Sequence, residues 1–254
     1  MSVALSQGMR NAVYSMGDIQ KQIDTSNTRL ATGKKVNSAL DNAGAYFRSQ
    51  NLQKDARDLG TLLDGMERGS KIIAKTAKAI DGMRSIMESA QALARQAVQI
   101  DEATGAVPRN ALRDQIATLM TQFNALARDS MYDGKSLLTT GTTAATNETI
   151  NTNVSGGTTI VLTAQNVRLG VAGGLEANFI VANTGFTIAA TASAESFTGT
   201  GSWGAAAGTT LINNVIGYAN NILTGLQTAA SNVATQASVI DIRKDFTKTA
   251  QRTN

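Results

Sequence analysis

The chain of 254 residues is long enough for one or two domains with a sizeable core. It has no cysteine and no histidine, which excludes disulfides, thiol nucleophiles, Cys/His zinc sites and Ser-His-Asp triads. A net charge of +4 is too modest over this length to signal a nucleic-acid partner, and 4% aromatic residues leave little for a base-stacking platform.

The N-terminus, Met1-Ser-Val-Ala-Leu-Ser-Gln7, lacks the basic patch, apolar run and cleavage site of a secretory signal. No apolar run of about 18 residues offers a membrane span. Targeting signals alone read as cytoplasmic. Met9, Met16, Ile23 and Leu30 recur at seven, with Val13 and Ile19 between them, which predicts a helix with one apolar stripe. Gly33 is its stop, with Lys34 and Lys35 at the negative end of the dipole. Ser38 or Asp41 is the expected cap of the next helix.

That second helix has the longest repeat: Leu52, Leu59, Met66, Ile73, Ile80, Met87 and Ala94 at seven, with Leu63 among the residues filling the seam. The pattern predicts a rod of roughly 55 residues, about 80 Å at the helical rise. It ends near Gly105, and Pro108 suits the first turn of a third helix carrying Leu112, Ile116, Leu119, Phe123 and Leu126. Asp133-Gly134 marks a turn.

Only Glu148, Arg168, Glu176 and Glu195 are charged between residues 136 and 240, and residues 139 to 208 are rich in Thr, Ser, Gly, Ala and Asn. Within this stretch Thr159–Thr163, Asn178–Val181 and Gly185–Ile188 read as short strands, the last two joined by a turn at Asn183-Thr-Gly185. A final helix, capped by Thr209 or Thr210, repeats Ile212, Ala219, Leu226, Val233 and Ile240 at seven. The expected fold is mainly α: a long antiparallel helical rod or coiled-coil bundle from both chain ends, with a small β-rich excursion from the middle. The segments are 1 to 40, a separate N-terminal helix; 41 to 138, the first part of the rod; 139 to 208, the variable β-rich segment; and 209 to 254, the returning rod.

Gly199-Thr-Gly201-Ser-Trp-Gly204 matches G-x-G-x-x-G, yet no βαβ unit surrounds it and no acidic residue follows before Asp241, so it reads as a loop. Lys34, Lys35, Arg48, Lys54 and Arg57 are interleaved with Asp41, Asp55 and Asp58, which suits a solvated or inter-subunit face better than a phosphate site. Asn147-Glu-Thr149 and Asn153-Val-Ser155 fit the N-glycosylation pattern, which arises easily by chance in such loops. No pair of carboxylates stands in a recognisable acid–base arrangement; neither catalysis nor a cofactor or metal is expected. An apolar helix left over at residues 9 to 30 points instead to burial against other copies or another protein.

Arg29-Leu-Ala-Thr-Gly-Lys-Lys-Val-Asn-Ser-Ala-Leu-Asp-Asn42 resembles the pattern RLSSGxxINSAxDD near the start of bacterial flagellins. Met131-Tyr-Asp-Gly-Lys-Ser-Leu-Leu138 is similar to the FNGxxLL segment that closes their N-terminal core. The resemblance covers about residues 3 to 138 and, more loosely, 208 to 246. Hook-filament junction proteins share a version of the first motif but usually follow the Asp pair with proline; here Ala43-Gly44 follows, as in flagellins.

The resemblance implies an extracellular filament subunit exported without a cleaved signal through the type III apparatus, which reverses the cytoplasmic reading. Its implied partners are other copies of itself, an export chaperone, and the cap and hook-associated proteins, with no nucleic acid and no membrane. Met9, Val13, Met16, Ile23 and Leu30 become polymerisation residues. Leu52, Leu59, Leu63, Met66, Ile73, Ile80, Met87, Leu226, Val233 and Ile240 become rod-packing residues. Flagellins that activate Toll-like receptor 5 present an Arg, a Leu and a Gln on one helix face; the matching positions are Ser89, Leu93 and Gln96, so weak activation is expected. In the family the second rod runs on into a helix that pairs with the N-terminal one. The sequence stops at Asn254 before such a segment, so poor association of the 254-residue form is expected. The rival readings are a hook-filament junction protein and a surface adhesin or receptor on a coiled-coil stalk. The last would need an aromatic-lined pocket built from Phe179, Phe186, Phe197 and Trp203.

Overall fold

A computed structural model describes residues 6–101, 105–138, 147–154, 157–165, 167, 169, 186–191, 194–199, 202–204 and 208–253. The chain divides into two compact units, the first ending at Asp58 and the second running from Leu59 to Thr253. The break falls inside a helix rather than in a loop.

In the first unit, α1 spans Gln7–Thr32. The Ser6 hydroxyl caps it by accepting from the Met9 amide, and Gly33 stops it in the left-handed region at φ 66°. The connection to α2 is folded on short polar side chains. Thr32 Oγ1 donates to Asn37 Oδ1 at 2.7 Å, and the Asn37 amide donates to Asp41 Oδ2 at 3.1 Å. With Asp41 so engaged, the cap of α2 is neither Ser38 nor Asp41 but Asn42, whose Oδ1 accepts from the Ala45 amide at 2.9 Å. Helix α2 then runs without interruption over Ala43–Val98, 56 residues.

The second unit holds the rest of α2 with α3 (Ala106–Asp129) and α4 (Gly208–Thr253). Pro108 lies in the first turn of α3, where its missing amide costs nothing. Thr209 and Thr210 lie within α4, which begins at Gly208. Met66, Ile73, Ile80 and Met87 of α2 are buried, as are Ile116, Met120 and Phe123 of α3 and Ile212, Leu226, Val233 and Ile240 of α4. They form one apolar cluster. A Cβ on Gly82 would stand 2.8 Å from the Leu126 side chain, so the missing side chain is what lets α2 and α3 approach.

Two short hairpins occupy the middle. β1 (Glu148–Asn151) pairs antiparallel with β2 (Thr159–Leu162) in the register Ile150↔Ile160. Ile150 is buried and lies over a notch in α2: a Cβ on Gly69 would stand 2.1 Å from Ile150 Cδ1, and one on Gly65 would stand 3.9 Å from Ile150 Cγ2. β3 (Phe186–Thr191) pairs antiparallel with β4 (Ala194–Gly199). Thus the strand beginning near Gly185 pairs with the segment after it; Asn178–Val181 and the Asn183–Gly185 turn, expected to form a hairpin with it, lie outside the described residues.

Candidate assembly surface

None of the residues of α1 is buried. Its apolar positions fall on one helical face because they recur at seven, and all of them are open: Val13, Ile19 and Ile23 are more than two-fifths exposed, and Leu30 reaches 88%. Tyr14 stands beside them, also exposed. Several polar groups elsewhere on the helix bond within it, with Gln20 donating to Asp24 at 3.1 Å and the hydroxyls of Thr25 and Thr28 donating one turn back. The apolar surface is left uncovered. A lone helix of 26 residues with such a face is marginal in water unless something covers it.

The seven-residue repeat of α2 does not bury its first members. Leu52 is 39% exposed, and Leu59 and Leu63 are half-buried; full burial begins at Met66. On the outer face of α2, Ser89 and Gln96 are exposed and Leu93 is half-buried. The Ser89 hydroxyl donates to the Ser85 carbonyl at 2.9 Å, so it is turned along its own helix.

Elsewhere the polar chemistry is structural. Glu148 at the start of β1 is almost fully buried and receives Arg68 Nη2 at 2.9 Å and Lys135 Nζ at 3.0 Å. Lys135 is delivered by the tight turn at Asp133-Gly134, where both residues have positive φ (51° and 71°) and Tyr132 and Lys135 exchange two backbone bonds. Arg109 is buried at the base of α3, where its guanidinium donates to the Ile100 carbonyl at 3.0 Å, the Trp203 carbonyl at 3.2 Å and Thr209 Oγ1 at 3.3 Å. Asn124, also buried, donates to the Leu169 carbonyl and accepts from the Leu169 amide.

The Gly-rich segment belongs to this packing. Trp203 is fully buried, its amide bonded to Asn110 Oδ1 at 2.9 Å, and a Cβ on Gly204 would strike Ala106. Trp203 is therefore a core plug and unavailable to line a ligand pocket. Gly201 and the side chains of Phe179, Phe186 and Phe197 lie outside the described residues. Asn147 accepts from the Ala164 amide at 2.9 Å, which commits its side chain to the hairpin base. Among the described residues no group of three or more acidic or His/Cys side chains could hold a metal, and no helix is long and apolar enough to cross a membrane.

The N-terminal helical region of bacterial flagellins matches this chain over residues 6–143, more than half its length. The chain belongs to the bacterial flagellin family. Flagellin A of Helicobacter felis is 28% identical over 153 residues, covering 57% of this chain and 29% of that protein. Flagellin FljO of Caulobacter vibrioides is 23% identical over 244 residues, 96% of this chain and 80% of the relative. Flagellin FljM of the same organism is 24% identical over the same share. The chain thus spans less than a third of the Helicobacter protein and four-fifths of the Caulobacter ones. The matched region takes in α1, α2 and α3 together with the Lys135 turn.

Proposed function

We propose that this chain is a structural subunit of the bacterial flagellar filament, working outside the cell and joined to other copies through its helices rather than through any catalytic site. The observation that carries this reading is α1, a capped helix whose apolar stripe finds no cover in its own unit. Family membership supports the choice of occupant: the stripe of Met9, Val13, Met16, Ile23 and Leu30 is buried against the helices of neighbouring subunits. The rod-packing positions from Met66 to Ile240 give each subunit a packed body on which that contact can be repeated. Ala43-Gly44 in place of a proline favours a filament subunit over a hook-filament junction protein.

Export through the type III apparatus with a dedicated chaperone, and contact with cap and hook-associated proteins at the filament ends, complete the reading. The test is addition of the complete gene product to sheared filaments of the bacterium that encodes it. Ile23→Asp places a carboxylate in the stripe and should reduce addition at least tenfold, since burying an uncompensated charge costs several kcal/mol. Addition unchanged by Ile23→Asp, with Val13→Asp equally silent, would remove α1 from the contact.

Toll-like receptor 5 recognition is proposed to be weak. Exposed Ser89 offers no long cationic donor beside Leu93 and Gln96. Loss of an arginine anchor costs about 2 kcal/mol, roughly thirtyfold. Arg95 lies about 100° around the helix from Gln96 and is no substitute. In a receptor reporter assay Ser89→Arg should raise the response; a strong response to the unaltered chain would overturn the assignment.

A further inference from the structure

The described methionines other than Met131 fall into two classes. Met66, Met83, Met87 and Met120 are fully buried in the rod core, whereas Met9 and Met16 stand 60% and 72% exposed on the stripe of α1. Their spacing of seven puts both thioethers on one helical face. The two side chains therefore lack the packing that protects the core methionines.

We infer that Met9 and Met16 are oxidation sites through which a hydroperoxide blocks assembly of the free subunit; the effect on assembly rests on the polymerisation reading above. The Sδ lone pair attacks the terminal oxygen of the hydroperoxide and an S–O bond forms as the O–O bond breaks. The terminal proton passes to the departing oxygen, which leaves as water or an alcohol. Sulfur is oxidised by two electrons to the sulfoxide and the peroxide is reduced by two. A flexible apolar side chain becomes a polar, chiral one at two points of a face that must be dehydrated for docking. Two sulfoxides buried without partners should slow addition at least about tenfold. Subunits already docked have the same sulfurs covered, so the modification acts on the unassembled chain.

The experiment uses the complete gene product carrying M131L, which removes an exposed methionine outside α1. It is treated with dilute hydrogen peroxide, sulfoxides are mapped by peptide mass spectrometry, and addition to sheared filaments is followed by sedimentation. Sulfoxide is expected at Met9 and Met16 well before Met66, Met83, Met87 and Met120, with addition lost in step and restored by the two epimer-specific methionine sulfoxide reductases. Oxidation no faster at Met9 and Met16 than in the core overturns the proposal, as does normal addition of chains fully oxidised at both. An untreated complete gene product that fails to add overturns the polymerisation reading instead, while the sulfoxide map still decides whether these two sulfurs are the reactive ones.

Discussion

Helix α1 and the stretch of α2 from Met66 onward carry the same seven-residue apolar repeat, yet one buries nothing and the other builds the core. In α2 the repeat meets Ile116, Met120 and Phe123 of α3 and Leu226 and Val233 of α4, each with its own repeat and each fully buried. In α1 the repeat is as regular and the helix is properly capped, but Met9, Val13, Met16 and Ile23 lie open. The difference teaches that periodicity states which face of a helix must be covered and is silent on whether the cover belongs to the same molecule.

The sharpest way to break this comparison is to delete equivalent side chains from each region and measure denaturant unfolding. Ile80→Ala, at a fully buried position, should cost about 2–5 kcal/mol, the transfer term plus a cavity. A cost below about 1 kcal/mol would place Ile80 outside the core. Glu148→Ala should cost about 1–2 kcal/mol: bonds to a buried carboxylate are lost, but Arg68 and Lys135 are roughly half exposed and recover solvation. High salt should leave most of that loss in place, because the carboxylate itself is screened little. Leu59→Ala, half-buried at the start of the second unit, should cost no more than about 1 kcal/mol, marking where the repeat begins to be covered. Ile23→Ala should change the stability of the isolated chain by less than about 0.5 kcal/mol. If Ile23→Ala proved as costly as Ile80→Ala, α1 would be covered within its own chain and the contrast would fail.

The helices, their order and the seams that pack were legible because a 3.6-residue period accumulates over many turns: Met66, Ile73, Ile80 and Met87 announce one another. Gly33, Pro108 and Asp133-Gly134 were legible because each residue type solves one backbone problem. The cap of α2 was not. Asp41 and Asn42 are chemically equivalent candidates, and only the capture of Asp41 by the Asn37 amide decides between them. Strand β1 escaped because Glu148–Asn151 is short and begins with a carboxylate, whose burial is explained by two cations remote in sequence. Arg109, Asn124 and Trp203 gave no signal either: a buried polar residue is recognised by its partners, and theirs lie between 9 and 100 positions away. The assembly face was legible as a stripe on a helix left over from the rod, and in three dimensions that stripe is open.

The seat of Ile150 over Gly65 and Gly69 has a mechanical consequence. The two glycines are one turn apart, so the notch runs along α2 rather than across it. Sliding α2 past the hairpin by one turn, about 5.4 Å, brings one of two residues to the closest point. In one direction it is Ile73, whose side chain collides with Ile150; in the other it is Gly65, which leaves the space free. The seat acts as a one-way detent, and a shear load along the rod meets a stiffer stop in one direction than in the other.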